Sequence, residues 1–227
     1  NNYKTWHYYA FLNYKYFEVL LSMNNKKKNI YAQNAIIGFT NSVCIGGKTI
    51  AKTLQDLLRI IEIWFQVGED ITVIKLIKQS FIKIDIDTWL QVLPQLLARV
   101  NTKNELIQES LIEILKLIGI NHPSVLIYPL IVMHKSKHKI RSKTAGIILS
   151  SMALHNKQLI TECAVIIDEL NRCALLLHEK WTEAIEECAK LYFELNDIKG
   201  MISVLNEVHS LMEETPITMN EVHFHQL

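Results

Sequence analysis

From Gln158 almost to Phe193 the chain runs without a single proline or glycine, and apolar residues return every three or four positions. A run of this kind lacks the tight-turn residues that strands need to fold back, so it commits to helix. Its last part is the clearest. Leu177, Trp181, Ala184, Ile185, Cys188, Ala189, Tyr192 and Phe193 form an apolar stripe that should meet partner helices, while Glu179, Glu183, Glu186, Glu187 and Lys190 take the wetter side. The rest of the chain has the same character: only seven glycines and four prolines in 227 residues, with little strand-like alternation, predict an all-α fold. A chain of this length buries roughly 70% of the surface its unfolded form exposes and needs no covalent staples, so one or two domains are expected.

Charge names no partner. Twenty-four Lys and Arg against 23 Asp and Glu leave a net charge of +1, which gives no overall field to draw in nucleic acid or an anionic membrane. Cys44, Cys163, Cys173 and Cys188 lack paired metal-ligand spacing; small buried thiols in a reducing compartment fit them best. No apolar run reaches the roughly 18 to 20 residues of a membrane span, and residues Asn1 to Trp6 lack the basic-then-apolar plan of a signal peptide, so a soluble intracellular protein is expected. The chain opens without Met inside a helical pattern, which reads as a fragment of something longer.

Taken in order, Trp6, Tyr9, Ala10, Asn13, Phe17 and Leu20 predict a helix over Tyr3–Met23, and Asn24–Asn29 an exposed polar loop. Ala32, Ala35, Ile36 and Phe39 mark the buried side of a helix over Ile30–Cys44, ended by Gly46-Gly47. Leu54, Leu57, Leu58, Ile61, Trp64 and Phe65 mark another, stopped by Gly68, with a partner over Ile71–Phe81. A third pair is expected at Asp87–Val100, capped by Asp87 or Thr88, and Lys103–Ile118, stopped by Gly119. A fourth begins at His122-Pro123 and resumes over Thr144–Leu154. Pair starts near Thr49, Asp87, His122 and Lys157 are thus about 35 to 38 residues apart, the period of a solenoid of helical hairpins. A domain join is placed near Asp168–Arg172. Asn196–Gly200 should turn the chain into a helix over Met201–Met212, and another starts at Thr218.

Several short motifs imitate chemistry. Gly46-Gly47-Lys48-Thr49 ends like a phosphate-binding loop, but that motif needs glycine where Ser42 stands, after a strand. His178-Glu179 opens like a zinc-protease helix, yet Thr182 occupies the second histidine's place; His223 and His225 alone are too few, and no metal site is expected. Between His134 and Lys143 five Lys/Arg and two His gather, which reads as a solvated corner or an anion site for a polyphosphate. No constellation of nucleophile, base and ligands suggests catalysis within the chain.

Long blocks carry a resemblance. The stretch Leu175–Phe193 with Asp197–Leu205 closely resembles the start of the FRB domain of the target of rapamycin (TOR) kinases, and Asp87–Arg99 and His122–Leu130 look like blocks of their FAT domain. Leu54–Arg59 with Trp64-Phe65, and Trp6–Phe17, are similar to earlier blocks in the same order. The resemblance implies a HEAT/TPR-like solenoid, the C-terminal part of FAT over residues 1–170, running into the first helices of an incomplete four-helix FRB bundle over 171–227. It further implies that Ile185, Ala189 and Phe193 line one wall of the groove that accepts rapamycin with its immunophilin and recruits substrates, with Ala189 where the family commonly has Ser. Partners would be TOR complex subunits and protein substrates, without nucleic acid. The parent would transfer the ATP γ-phosphoryl group to Ser or Thr in growth and nutrient signalling, cytoplasmic or peripheral on endomembranes within a complex. ATP and Mg²⁺ would bind outside this chain. Asn121–Val125 is superficially similar to the family's catalytic loop but has Ile120 and Val125 where the base and metal-binding residue belong. A stand-alone α-solenoid that binds proteins is the alternative.

Overall fold

The computed structural model describes residues 2–46, 50–136, 138–174, 177–213, 215–216 and 219–226. Among them there is no strand, and the helices follow in order as α1 (Tyr3–Ser22), α2 (Lys28–Gly46), α3 (Ile50–Val67), α4 (Ile71–Lys83), α5 (Ile86–Leu90), α6 (Leu93–Ala98), α7 (Glu105–Asn121), α8 (Pro123–His134), α9 (Lys139–Ala174), α10 (Leu177–Phe193), α11 (Ile198–Glu213) and α12 (Met219–His225). They divide into two compact units, residues 1–160 and 161–227. Helix α9 carries non-helical backbone at Asn156 and runs helically through Asp168–Arg172.

The first unit is a solenoid of hairpins: the starts at Ile50, Ile86 and Pro123 keep the expected period, and the α9 break at Asn156 follows slightly sooner. Helix α2 packs on α1, α3 and α4; α7 packs on α4, α5 and α8. Ala32, Ala35, Ile36 and Phe39 are buried in α2 as their spacing predicts. An aromatic run links successive hairpins: Trp64 stacks on Phe65 at 4.9 Å and meets Phe81 edge-on at 5.5 Å, and Phe81 meets Trp89 edge-on at 5.3 Å. Such pairs add about 1 kcal/mol each beyond the area they bury.

A polar knot ties the first three helices. Asp56 of α3 is buried, and its carboxylate accepts from Ser42 Oγ of α2 at 2.8 Å and lies 2.8 and 3.0 Å from His7 Nδ1 of α1. Arg59 approaches it at 3.4 Å while its guanidinium lies over the Phe11 ring at 4.8 Å. Beside the knot, Tyr14 donates to Glu62 at 2.7 Å, and burial together with that carboxylate pushes the phenol far up. At the other end of α2, Asn29 reaches Asp70, the N-cap of α4.

Several local expectations need correction. Asp87–Val100 is two short helices, because Pro94 has no N–H to continue the α5 ladder into α6. Asp85, not Asp87 or Thr88, caps α5. Asn104 caps α7, which therefore starts two residues beyond Lys103, and Gly119 does not stop it. That glycine is there for packing: a Cβ would lie 2.7 Å from Met152 Sδ of α9. The polar loop is shorter than expected, since Lys28 and Asn29 are helical; Asn24, at φ 48°, makes the turn that ends α1. In α1 the buried positions are Ala10, Asn13, Tyr14 and Phe17, while Tyr9 is exposed. The basic run from Lys139 onward is the first turn of α9 rather than a loop before Thr144.

Candidate functional site

The second unit is built round the antiparallel pair α10 and α11, with α12 against α10. The turn between them is closed by backbone bonds from Glu194 to Lys190 and from Asp197 to Leu191, both 2.9 Å, and by Asn196 at φ 51°, a helix end of the left-handed kind. The Asp197 carboxylate then accepts from Gly200 N at 2.9 Å and caps α11, so α11 begins at Ile198 rather than Met201. Across the pair, Cys188 Sγ points to the Met201 carbonyl at 3.6 Å. Ala184 and Cys188 of α10 and Val208 of α11 are buried, with Trp181, Leu191, Met201, Val204 and Leu205 half-buried.

Ile185, Ala189 and Phe193 stand on the outer side. Four-residue steps advance about 40° round a helix, so the three climb one flank of α10. All are exposed, Ile185 to 55% and Phe193 to 79%. Two bulky apolar side chains thus flank the smaller Ala189 on an exposed side of the helix. Tyr192, which the periodicity assigns to the packed stripe, is instead 46% exposed and meets the Phe193 ring edge-on at 5.0 Å. Leu195, Ile198 and Ile202 are exposed as well, which the sequence pattern did not single out.

The other motifs come to little. Gly47, Lys48 and Thr49 lie outside the described residues, and Ser42 sits inside α2 holding Asp56. Although Ser42, His7 and Asp56 adjoin, Ser42 and His7 both engage the carboxylate rather than each other, so no base addresses the serine. Thr182 Oγ1 is spent on the His178 carbonyl at 2.8 Å. His223 is exposed, and the His225 side chain lies outside the described residues. Among the described residues no three His, Cys, Asp or Glu gather as metal ligands. Of the thiols, Cys188 is buried, Cys163 half-buried and Cys44 exposed at its surface, while the Cys173 side chain lies outside the description. Desolvation pushes the Cys44 thiol up, against the thiolate form that reactivity needs. No described helix is long and apolar enough to cross a membrane.

Residues 169–227 match the family model of the FKBP12-rapamycin binding domain, and residues 72–167 that of the HEAT repeats of ATR-like serine/threonine-protein kinases. The whole chain is 34% identical to the serine/threonine-protein kinase mTor of Drosophila melanogaster, and 99% of it is 35% identical to tor1 of Schizosaccharomyces pombe. The chain is a FAT–FRB segment of the TOR kinase family. A further 34% identity, over 93% of the chain, is shared with TOR of Arabidopsis thaliana. The TOR segment spans about a tenth of the length of these relatives: 10% of the fly and fission-yeast proteins and 8% of the plant one. Its FRB match covers α10, α11 and α12, so Ile185, Ala189 and Phe193 fall inside it.

Proposed function

We propose that this chain is the non-catalytic brace and recognition segment of a TOR-type serine/threonine protein kinase. In this reading residues 1–170 form the C-terminal part of the FAT solenoid that supports the kinase domain. Residues 171–227 begin the FRB bundle, which presents protein substrates and accepts rapamycin with its immunophilin. Ile185, Ala189 and Phe193 form the first wall of that groove. The observation that carries the proposal is the division of α10: Ala184 and Cys188 are buried against the neighbouring helices while the trio is left in solvent. An apolar flank kept exposed on a helix whose opposite side is packed is a surface held for a ligand or partner. The parent would phosphorylate Ser and Thr in growth and nutrient signalling, with ATP and Mg²⁺ held by residues outside this chain.

Titration of the rapamycin–immunophilin complex into the chain extended by the remaining bundle helices tests the reading. Binding is expected with Ala189 in place, since alanine stays small between the two bulky side chains. Phe193→Ser should weaken it by about thirtyfold, the loss of roughly 2 kcal/mol of apolar contact. No binding by the extended protein, with binding restored by Ala189→Ser, overturns the assignment of Ala189. Binding unaffected by both Phe193→Ser and Ile185→Ser overturns the groove.

A further inference from the structure

The net charge of +1 conceals a strong segregation. Residues 114–161 contain no Asp or Glu, although the chain's average density would place about five there, and they carry seven of its 24 Lys and Arg. The other 179 residues hold all 23 acids against 17 bases. Most of the excess collects where α8 meets α9, with Lys135, Lys139 and Lys143 exposed and Arg141 half-buried. Lys139, Arg141 and Lys143 have no ion-pair partner among the described residues.

Two contacts join the helices on either side of the corner. Ser142 Oγ donates to the His134 carbonyl at 2.5 Å, and the His134 ring Nδ1 lies 3.1 Å from the Ser142 carbonyl. Both contacts bridge the last turn of α8 and the first turns of α9. Leading into this corner, α8 buries Leu126, Ile127, Leu130 and Ile131 but turns an apolar stripe to solvent: Val125 is 45% exposed, Tyr128 60% and Val132 44%. No residue of α8 is a Lys, Arg, Asp or Glu.

We propose that this outer stripe and corner form a docking surface for an anionic lipid bilayer. Aliphatic side chains and a tyrosine beside the exposed, unpaired Lys139 and Lys143, which share one side of α9, suit the boundary between acyl chains and acidic headgroups. Protein interfaces set register with charges of both signs, whereas α8 and the first turns of α9 carry one sign only, the neighbouring acids Glu105 and Glu109 belonging to α7, whose Gln108 donates to Thr144 Oγ1. Nucleic acid would use the cations but leave the apolar stripe without a purpose.

The test is cosedimentation of the 227-residue chain with extruded vesicles. Binding is expected to phosphatidylcholine vesicles containing roughly one-third phosphatidylserine, not to phosphatidylcholine alone, and to fade at high salt. The double variant Lys139→Glu/Lys143→Glu should lose about thirtyfold, as each basic residue near such a surface is worth about 1 kcal/mol. Tyr128→Ser/Val132→Ser should lose about tenfold with the salt dependence kept. Acidic residues in the first turn of α9 suit the helix dipole, so the charge variant should keep its helical circular dichroism; if it does not, the Gln versions take its place. Absence of binding to the anionic vesicles overturns the proposal, as does equal binding to neutral ones. So does a charge variant that binds like the parent. Retention on heparin with no vesicle binding, or vesicle binding indifferent to the Tyr128/Val132 pair, would make the corner a general polyanion site and refute the bilayer.

Discussion

Replacing Asp56 by alanine should unfasten the first unit more than any other single polar change near α1–α3. The carboxylate is 2% exposed and serves three elements. Its loss leaves Ser42 Oγ, itself 3% exposed, without its acceptor, costing about 1–3 kcal/mol for a buried hydroxyl. The bond to His7 contributes about 1.5–3 kcal/mol more if the ring carries charge and about 1 if it does not. Arg59, at 3.4 Å and with its side chain 24% exposed, adds under about 1 kcal/mol because water screens it. The expected total is roughly 2–7 kcal/mol, which brackets the roughly 3–5 kcal/mol typical of breaking a buried ionic group by removing one partner. Asp56→Asn, which still accepts from Ser42, should cost about half as much, and Ser42→Ala about 1 kcal/mol. Urea unfolding followed by tryptophan fluorescence measures it cleanly in a Trp181→Phe background, because Trp6, Trp64 and Trp89 then report only on the first unit. A cost below about 1 kcal/mol for Asp56→Ala, or one no larger than that of Arg59→Ala, would refute the account of the knot as a structural tie.

Hydrogen bonds from the Thr72 side chain, with its backbone N–H and Asn29, hold the Asp70 carboxyl below the usual carboxylate range. A depressed folded-state value means this contribution is complete above the unfolded value near 3.9 and drains away as pH falls through the folded one; Asp70→Asn, which still caps α4, should flatten that acid limb in urea midpoints taken from about pH 5 to 2. Gly38→Ala should destabilise the α1–α2 contact by about 1–2 kcal/mol despite alanine's better helix propensity, because the new Cβ would lie 2.8 Å from Ala10 Cβ, and Ala10→Gly should recover part of the loss in a double-mutant cycle. On α10, Ile185→Asp and Phe193→Asp should leave thermal unfolding of the second unit within about 0.5 kcal/mol, whereas Ala184→Asp or Cys188→Asp should abolish its cooperative transition.

Helix existence was legible because burial on one side enforces a period that survives in the residues themselves. Ala32, Ala35, Ile36 and Phe39 are the clearest case, and the hairpin spacing followed from where such stripes stop. What failed were decisions that depend on a partner distant in sequence. Gly119 looks like a stop until Met152 is placed over it, and the reason for a glycine there lies 33 residues away. Tyr14 and Asp56 were not legible as a linked pair of polar anchors for the same reason: their partners Glu62, Ser42 and His7 sit on other helices. The break at Pro94 is legible locally, since a residue without an N–H cannot continue the helix through it.

The exposed apolar flank of α10 is partly legible from periodicity alone. Plotted at 100° per residue, the apolar positions from Leu191 through Cys188 and Ile185 to Phe193 cover an arc of about 200°, twice the stripe that one packed face needs. A helix with that much apolar surface either lies at the centre of a bundle or presents a second face. The glutamates at 179, 183, 186 and 187 rule out the first choice, because they require open solvent on the remaining side. What the pattern could not decide was which half of the arc would be covered. Small residues settle it: Ala184 and Cys188 let α11 approach closely enough for the Cys188 thiol to reach the Met201 carbonyl, and Ile185 and Phe193 would hold it off. Small residues at the point of closest approach therefore set the α10–α11 contact, with Trp181 and Leu191 half-buried on either side of it, and Ile185 and Phe193 are left in solvent.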